Sequence, residues 1–161
     1  IQAFAEIAPR YSELRLVLAG KSHPTETPVL RAMVQQLGLH ERVEFRRYVP
    51  YADLPDLYRG ALAFVYPSLW EGFGLPILEA MACGTPVITS YGTGTEEVAG
   101  DAALLVNPVH LGELKEALHQ VVQNDHRCRQ TLRGSGLARA SLFSWTRTTA
   151  QTTQVLESLM R

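Results

Sequence analysis

The sequence predicts an α/β fold, an open parallel sheet with helices on both faces. Three observations carry this. Short β-rich apolar runs alternate with helical patterns along the chain, the order that builds parallel sheets. Residues 61–66 are apolar at consecutive positions, as in a strand buried on both faces. The 161 residues, 46% hydrophobic and 19% charged, suit one domain that buries a core without covalent staples.

Each element follows from its residues. The chain opens on what reads as the inside of a helix, which suggests a domain cut from a longer protein. Residues 14–19 read as a strand ending at Gly20. In 28–39, Val29, Leu30, Met33, Val34 and Leu37 recur at helical spacing and stop at Gly38. Residues 43–46 alternate as a short strand. Residues 53–58 read as a short helix capped by Asp53, with Pro55 early in its first turn. Residues 61–66 are expected to be the most buried strand. Helix 77–83 follows, with Pro76 at its start and Gly84 at its end. Strand 86–89, short helix 95–99 and strand 103–106 come next. Residues 111–122 place Leu111, Leu114, Leu118, Val121 and Val122 on one side of an amphipathic helix. Residues 127–142 and 145–160 read as closing helices.

Several functions are disfavoured at once. Lys plus Arg number 15 against 16 Asp plus Glu, so bulk charge does not make this a nucleic-acid binder. The longest apolar run falls far short of the roughly 20 residues of a membrane helix. No basic start or apolar segment of a signal peptide is visible. Cys83 and Cys128 are far apart, as in free thiols of a reducing, cytoplasmic compartment. The histidines lack metal-ligand spacing, and no metal is expected.

In such sheets ligands bind at the carboxyl ends of strands, where helix N-termini also point. The loops to inspect are therefore 20–23, 67–76 and 90–96. Loop 67–76 is the richest. Gly72 and Gly74 permit close backbone approach or positive φ. The amides of Gly74, Leu75, Ile77 and Leu78 would then face an anion at a helix start. A plain tight turn uses the same glycines. The third glycine of a dinucleotide fingerprint is missing, since Ile77 stands in its place, and so is a P-loop lysine. Glu79 is the one carboxylate on an otherwise apolar helix, and a buried carboxylate needs a partner. A ribose diol would serve; so would an Arg or the helix N-terminus. Glu71, before the glycines, suits a sugar hydroxyl or a developing positive charge, or is a solvated loop charge. Lys21 and His23 could reach a phosphate but read first as a solvated loop. Trp70 reads as a pocket wall or edge packing, and Trp145 as the residue that packs the last helix down. Arg46 and Arg47 read as surface.

Glu71-Gly72-Phe73-Gly74-Leu75-Pro76-Ile77-Leu78-Glu79-Ala80-Met81-Ala82-Cys83-Gly84-Thr85-Pro86-Val87 resembles the donor-binding signature of the retaining, nucleotide-sugar-dependent "group 1" glycosyltransferases of GT-B fold. The flanks resemble the same domain in order: residues 14–20, 37–45, 48–50, 54–58, 97–106 and 143–145. The resemblance implies a Rossmann-like domain whose first strand, with an Arg and a Lys for the diphosphate, precedes this chain. An N-terminal acceptor domain, roughly 150–200 residues on domain-size grounds, is implied as its partner. Glu79 resembles the glutamate that binds the ribose hydroxyls. Glu71, the catalytic-site glutamate, resembles the one that contacts the donor sugar, positioning it without acting as a nucleophile. Backbone around Gly72, Phe73, Gly74 and Leu75 would meet the sugar and diphosphate, Gly20 would lie beside the diphosphate, and Tyr48 and Val49 would hold the base. The implied reaction moves a sugar from a nucleoside diphosphate to an acceptor hydroxyl with retention, without a cofactor, and this piece alone is expected to be inactive. A membrane-face location is allowed if the acceptor is a lipid. Two departures stand out: Arg47 replaces a common glycine before the Tyr48-Val49 pair, and Glu96 replaces a common proline. A binding-only domain of the same fold and half of a nucleotide-sugar epimerase are the alternatives.

Overall fold

The computed structural model describes residues 1–123 and 126–160. Helix α1 (Gln2–Ile7) leads through a short 3-10 turn to β1 (Leu16–Ala19). Then come α2 (Glu26–Gln36), β2 (Val43–Arg46), α3 (Leu54–Gly60), β3 (Phe64–Tyr66) and α4 (Leu75–Ala82). The remainder is β4 (Val87–Ser90), α5 (Gly94–Ala99), β5 (Leu104–Val106), α6 (Leu111–Val122), α7 (His126–Ser141) and α8 (Trp145–Leu159). Every strand pairing is parallel, as the alternation predicts. The strands form two sheets, β1-β2 and β3-β4-β5. Among the described residues no helix is long and apolar enough to cross a membrane.

The strand periodicity of two sorts the core. Val87 packs with Ile77, Met81 and Val98 of α4 and α5 on one face of β4. Its neighbour Ile88 packs with Ala117, Val121 and Leu132 of α6 and α7 on the other. Burying side chains of this size stabilises by about 1.5–3 kcal/mol each. Under β1 and β2 lies a separate cluster of Phe4, Ile7, Val34, Leu39 and Val43. Leu118 and Val122 of α6 pack against that cluster, and Lys115 Nζ lies 2.9 Å from Glu6 Oε2, so α1 and α6 form the seam between the two sheets. Arg42 braces the entry to β1, its Nε donating to the Leu14 carbonyl at 2.7 Å.

Several expectations need correction. The most buried strand is β4, all four of whose residues are buried, while β3 is half-buried. β3 sits at the edge of its sheet, and its run starts late: Leu62 is exposed and stands outside the strand. Helix α4 starts two residues earlier than periodicity suggests, because Gly74 serves as its N-cap with φ 97°. Asp53 occupies the N-cap of α3 without a side-chain cap bond. The capping side chains are Thr93 for α5, His110 for α6 and Ser144 for α8. Trp145 does not pack α8 down: it is 76% exposed, and α8 has no buried residue.

Candidate functional site

Parallel register brings the carboxyl ends of the strands level, with Ala19 beside Arg46 and Tyr66 beside Thr89. The loops that follow build two groups of candidate residues.

The first group centres on the start of α4. Gly74, with positive φ, turns the chain from loop to helix, and a Cβ there would lie 3.0 Å from Ile77 Cδ1 and 3.3 Å from Thr95 Cγ2. Pro76 has no N–H, and the Ile77 amide donates to the Gly74 carbonyl at 2.9 Å. The Ile77 amide is therefore bonded inside the helix turn, a correction to its expected outward role. Phe73 and Leu75 are exposed, and Gly72 has open space around its Cα. The Phe73 ring meets Phe143 edge-on at 5.9 Å, and Arg139 lies over the other partner of that pair, 5.1 Å from the Phe143 centroid. The loop is thus anchored to the α7–α8 junction. Trp70 is 93% exposed, so it does not serve as edge packing among the described residues.

Both glutamates are half-buried, and each carboxylate accepts a hydrogen bond from a tyrosine. Tyr66 Oη donates to Glu71 Oε2 at 2.7 Å. Tyr58 Oη donates to Glu79 Oε2 at 3.1 Å. Glu79 therefore has a protein partner, as a partly buried carboxylate requires, and keeps one oxygen outside that bond. The two tyrosines are joined through Phe64, whose ring stacks on Tyr66 at 5.7 Å and meets Tyr58 edge-on at 5.1 Å. Burial, then the hydrogen bond to Glu71 and the charge of Glu71, push the Tyr66 phenol up to about 12. Burial first, then the charge and hydrogen bond of Glu79, raise Tyr58. Both phenols stay protonated and act as fixed donors that orient the carboxylates.

The second group lies on the β1-β2 sheet. Lys21, Ser22, His23, Pro24, Arg47 and Tyr48 line an open pocket of about 420 Å³. Its walls carry Lys21, Arg47 and His23 and no carboxylate, a field that favours an anion. Gly20, just before Lys21, donates its amide to the Arg46 and Arg47 carbonyls at 3.1 and 3.0 Å. Tyr48 is 81% exposed and Val49 half-buried. Lys21, His23 and Arg47 are exposed, as the sequence reading has them, and they also line this open pocket.

Sequence reasoning missed Tyr58 and Tyr66, and it marked loop 90–96, the turn after β4, without giving its residues a role. Gly94 N–H donates to the Glu71 carbonyl at 3.0 Å, and Ser90 Oγ accepts from the Ser68 amide at 2.8 Å. The one available signal was that tyrosines in apolar runs need a hydrogen-bond partner.

The family model for glycosyl transferases group 1 matches residues 1–134. The chain is 41% identical over 154 residues to O-antigen chain mannosyltransferase B of Escherichia coli, covering 94% of this chain and 40% of that protein. It superposes on sucrose-phosphate synthase from Thermosynechococcus elongatus with TM-score 0.84 at 30% identity, covering 99% of this chain and 42% of that one. HepE from Anabaena in complex with UDP-glucose superposes with TM-score 0.85 at 27% identity, covering 98% and 43%. The chain therefore spans about 40% of the length of such relatives.

Proposed function

Because this chain belongs to the group 1 glycosyltransferases, we propose that it is the nucleotide-sugar-binding half of a retaining glycosyltransferase, with a hexose, mannose foremost, as the sugar. The observation that carries this reading is the pair of tyrosine-held carboxylates, Glu71 and Glu79, flanking the start of α4. Glu79 would use its second oxygen on the ribose diol. Glu71 would hold a donor-sugar hydroxyl. The backbone of Gly72, Phe73, Gly74 and Leu75, at the positive end of α4, would face the sugar and the diphosphate. Departure of that diphosphate is the chemical problem, and fixed dipoles and cations placed where negative charge grows would lower its barrier without a metal. The pocket of Lys21, His23, Arg47 and Tyr48, with Gly20 and Val49 next to it in sequence, would take the nucleotide end.

The split sheet supports a further part of the reading. One more parallel strand between β1 and β3 would join the sheets in the order β2-β1-new-β3-β4-β5, with the reversal at the inserted strand. In this proposal that strand, and an acceptor domain before it, come from the rest of the polypeptide. Residues 1–161 alone are then expected to transfer no sugar above the uncatalysed background. The free, half-buried thiols Cys83 and Cys128 support a reducing, cytoplasmic setting.

The test is calorimetry on the chain extended through its preceding segment, titrated with UDP, GDP and ADP. One nucleotide is expected to bind, and Glu79→Ala is expected to weaken it by at least about 30-fold, the loss of charged hydrogen bonds. If the whole polypeptide binds none of the three, the reading is wrong.

A further inference from the structure

The turn after β4 approaches the glutamate loop closely enough to control it. A Cβ on Gly94 would fall on the carbonyl oxygen of Gly72 and lie 2.7 Å from that of Glu71. Gly94 is not among the glycines of positive φ, so an alanine is permitted there by conformation and refused only by space. The obstructing atoms are backbone, which cannot swing aside as a side chain would. The same residue donates its N–H to the Glu71 carbonyl at 3.0 Å. The turn itself is fixed from behind: Thr95 is fully buried and donates from Oγ1 to the Ser90 carbonyl at 2.8 Å.

The carboxylate end of Glu71 is held from the opposite side. Tyr66 Oη donates to it at 2.7 Å, and the Tyr66 carbonyl accepts from Thr89 Oγ1 at 2.9 Å. Backbone and head group of Glu71 are therefore fixed by different residues, both secured to β4. Glu79 takes neither support: its partner is Tyr58 on α3.

We propose that Gly94 and Tyr66 are positioning residues for Glu71, setting where its carboxylate meets the donor sugar and leaving nucleotide binding through Glu79 untouched. This rests on the reading that Glu71 contacts the donor sugar. A misplacement of about 1 Å at a reacting centre costs on the order of 100-fold in rate. The space refused at Gly94 is of that size.

The experiment compares Gly94→Ala and Tyr66→Phe with wild type in the whole polypeptide. It measures kcat and KM for the nucleotide sugar and inhibition by the bare nucleoside diphosphate. Gly94→Ala is expected to lower kcat about 100-fold, and Tyr66→Phe about tenfold. Inhibition by the bare nucleoside diphosphate should hold within about threefold in Tyr66→Phe, whose lost hydroxyl touches Glu71 and not Glu79; Gly94→Ala also presses on the Gly72 carbonyl and is read on kcat alone. If folded Gly94→Ala and Tyr66→Phe turn over like wild type, the positioning role is overturned while the donor-site reading stands. Parallel loss of turnover and nucleotide inhibition in Tyr66→Phe also overturns it, since the loop would then be collapsing as a whole. Should Gly94→Ala fail to fold, Tyr66→Phe decides alone, and full activity rejects the proposal. A wild-type protein that transfers no sugar removes the reading and the proposal together.

Discussion

At the scale of single residues, two phenols hold the two carboxylates. Burial first, then the hydrogen bond and charge of Glu71, push Tyr66 from 10.0 up to about 12, so the fold favours its neutral form. That stabilisation is complete below the unfolded value and is lost as pH rises through the folded one. Alkaline unfolding is therefore expected to set in between about pH 10 and 12, and Tyr66→Phe should blunt it. Following tyrosinate absorbance, Glu71→Gln should bring the Tyr66 transition back toward its ordinary value; an unmoved transition would show that Glu71 plays no part. Tyr58→Phe should weaken nucleoside diphosphate binding by about tenfold, read by calorimetry, while keeping the bond from Thr85 Oγ1 to its own carbonyl. Glu71 and Glu79 were legible in the sequence because a carboxylate beside glycines, or alone on an apolar helix, asks for a reason. Their partners were not. Tyr58 lies on a different helix from Glu79, and nothing local announces that contact.

Among the elements, the helices were legible and the burial of the strands was not. Periodicity is local, so α6 has the bounds its pattern predicts, and α2 and α4 close before Gly38 and Gly84 as expected. Which strand is most buried depends on sheet order, a tertiary property; β3 is as apolar as a central strand, and among the described residues its outer edge is the one the proposed further strand would pair with. The start of α4 was misjudged because Pro76 draws attention to the first turn, whereas the boundary is set by the backbone at Gly74. Gly74→Ala would force a side chain to φ 97° and against Ile77. It is expected to destabilise the domain by about 1–2 kcal/mol for the backbone conformation alone, read from the urea midpoint at unchanged m-value. An unchanged midpoint would mean that the turn relaxes freely.

For the molecule as a whole, α8 is the element with least hold on the rest. It has no buried residue, and Trp145, Val155, Leu156 and Leu159 are all exposed. Deleting residues 145–161 is expected to shift Tm by less than about 3 °C, measured by calorimetric scanning. A larger drop would mean that α8 carries stability which its exposure hides. The α/β class was legible from alternation alone, because each run is long enough to declare its type. The division into two sheets was not, since no residue pattern states which strands fail to meet.

The seam between α1 and α6 has a consequence for synthesis. The β1-β2 pair is complete once residue 46 has left the ribosome, and its partners Val34 and Leu39 are already present. The part of α1 that rests on Leu118 and Val122 has no cover until α6 emerges. For the length of chain in between, the nascent protein holds a finished strand pair and an open apolar helix face. That interval is when a holdase chaperone has something to bind, and it closes when α6 arrives.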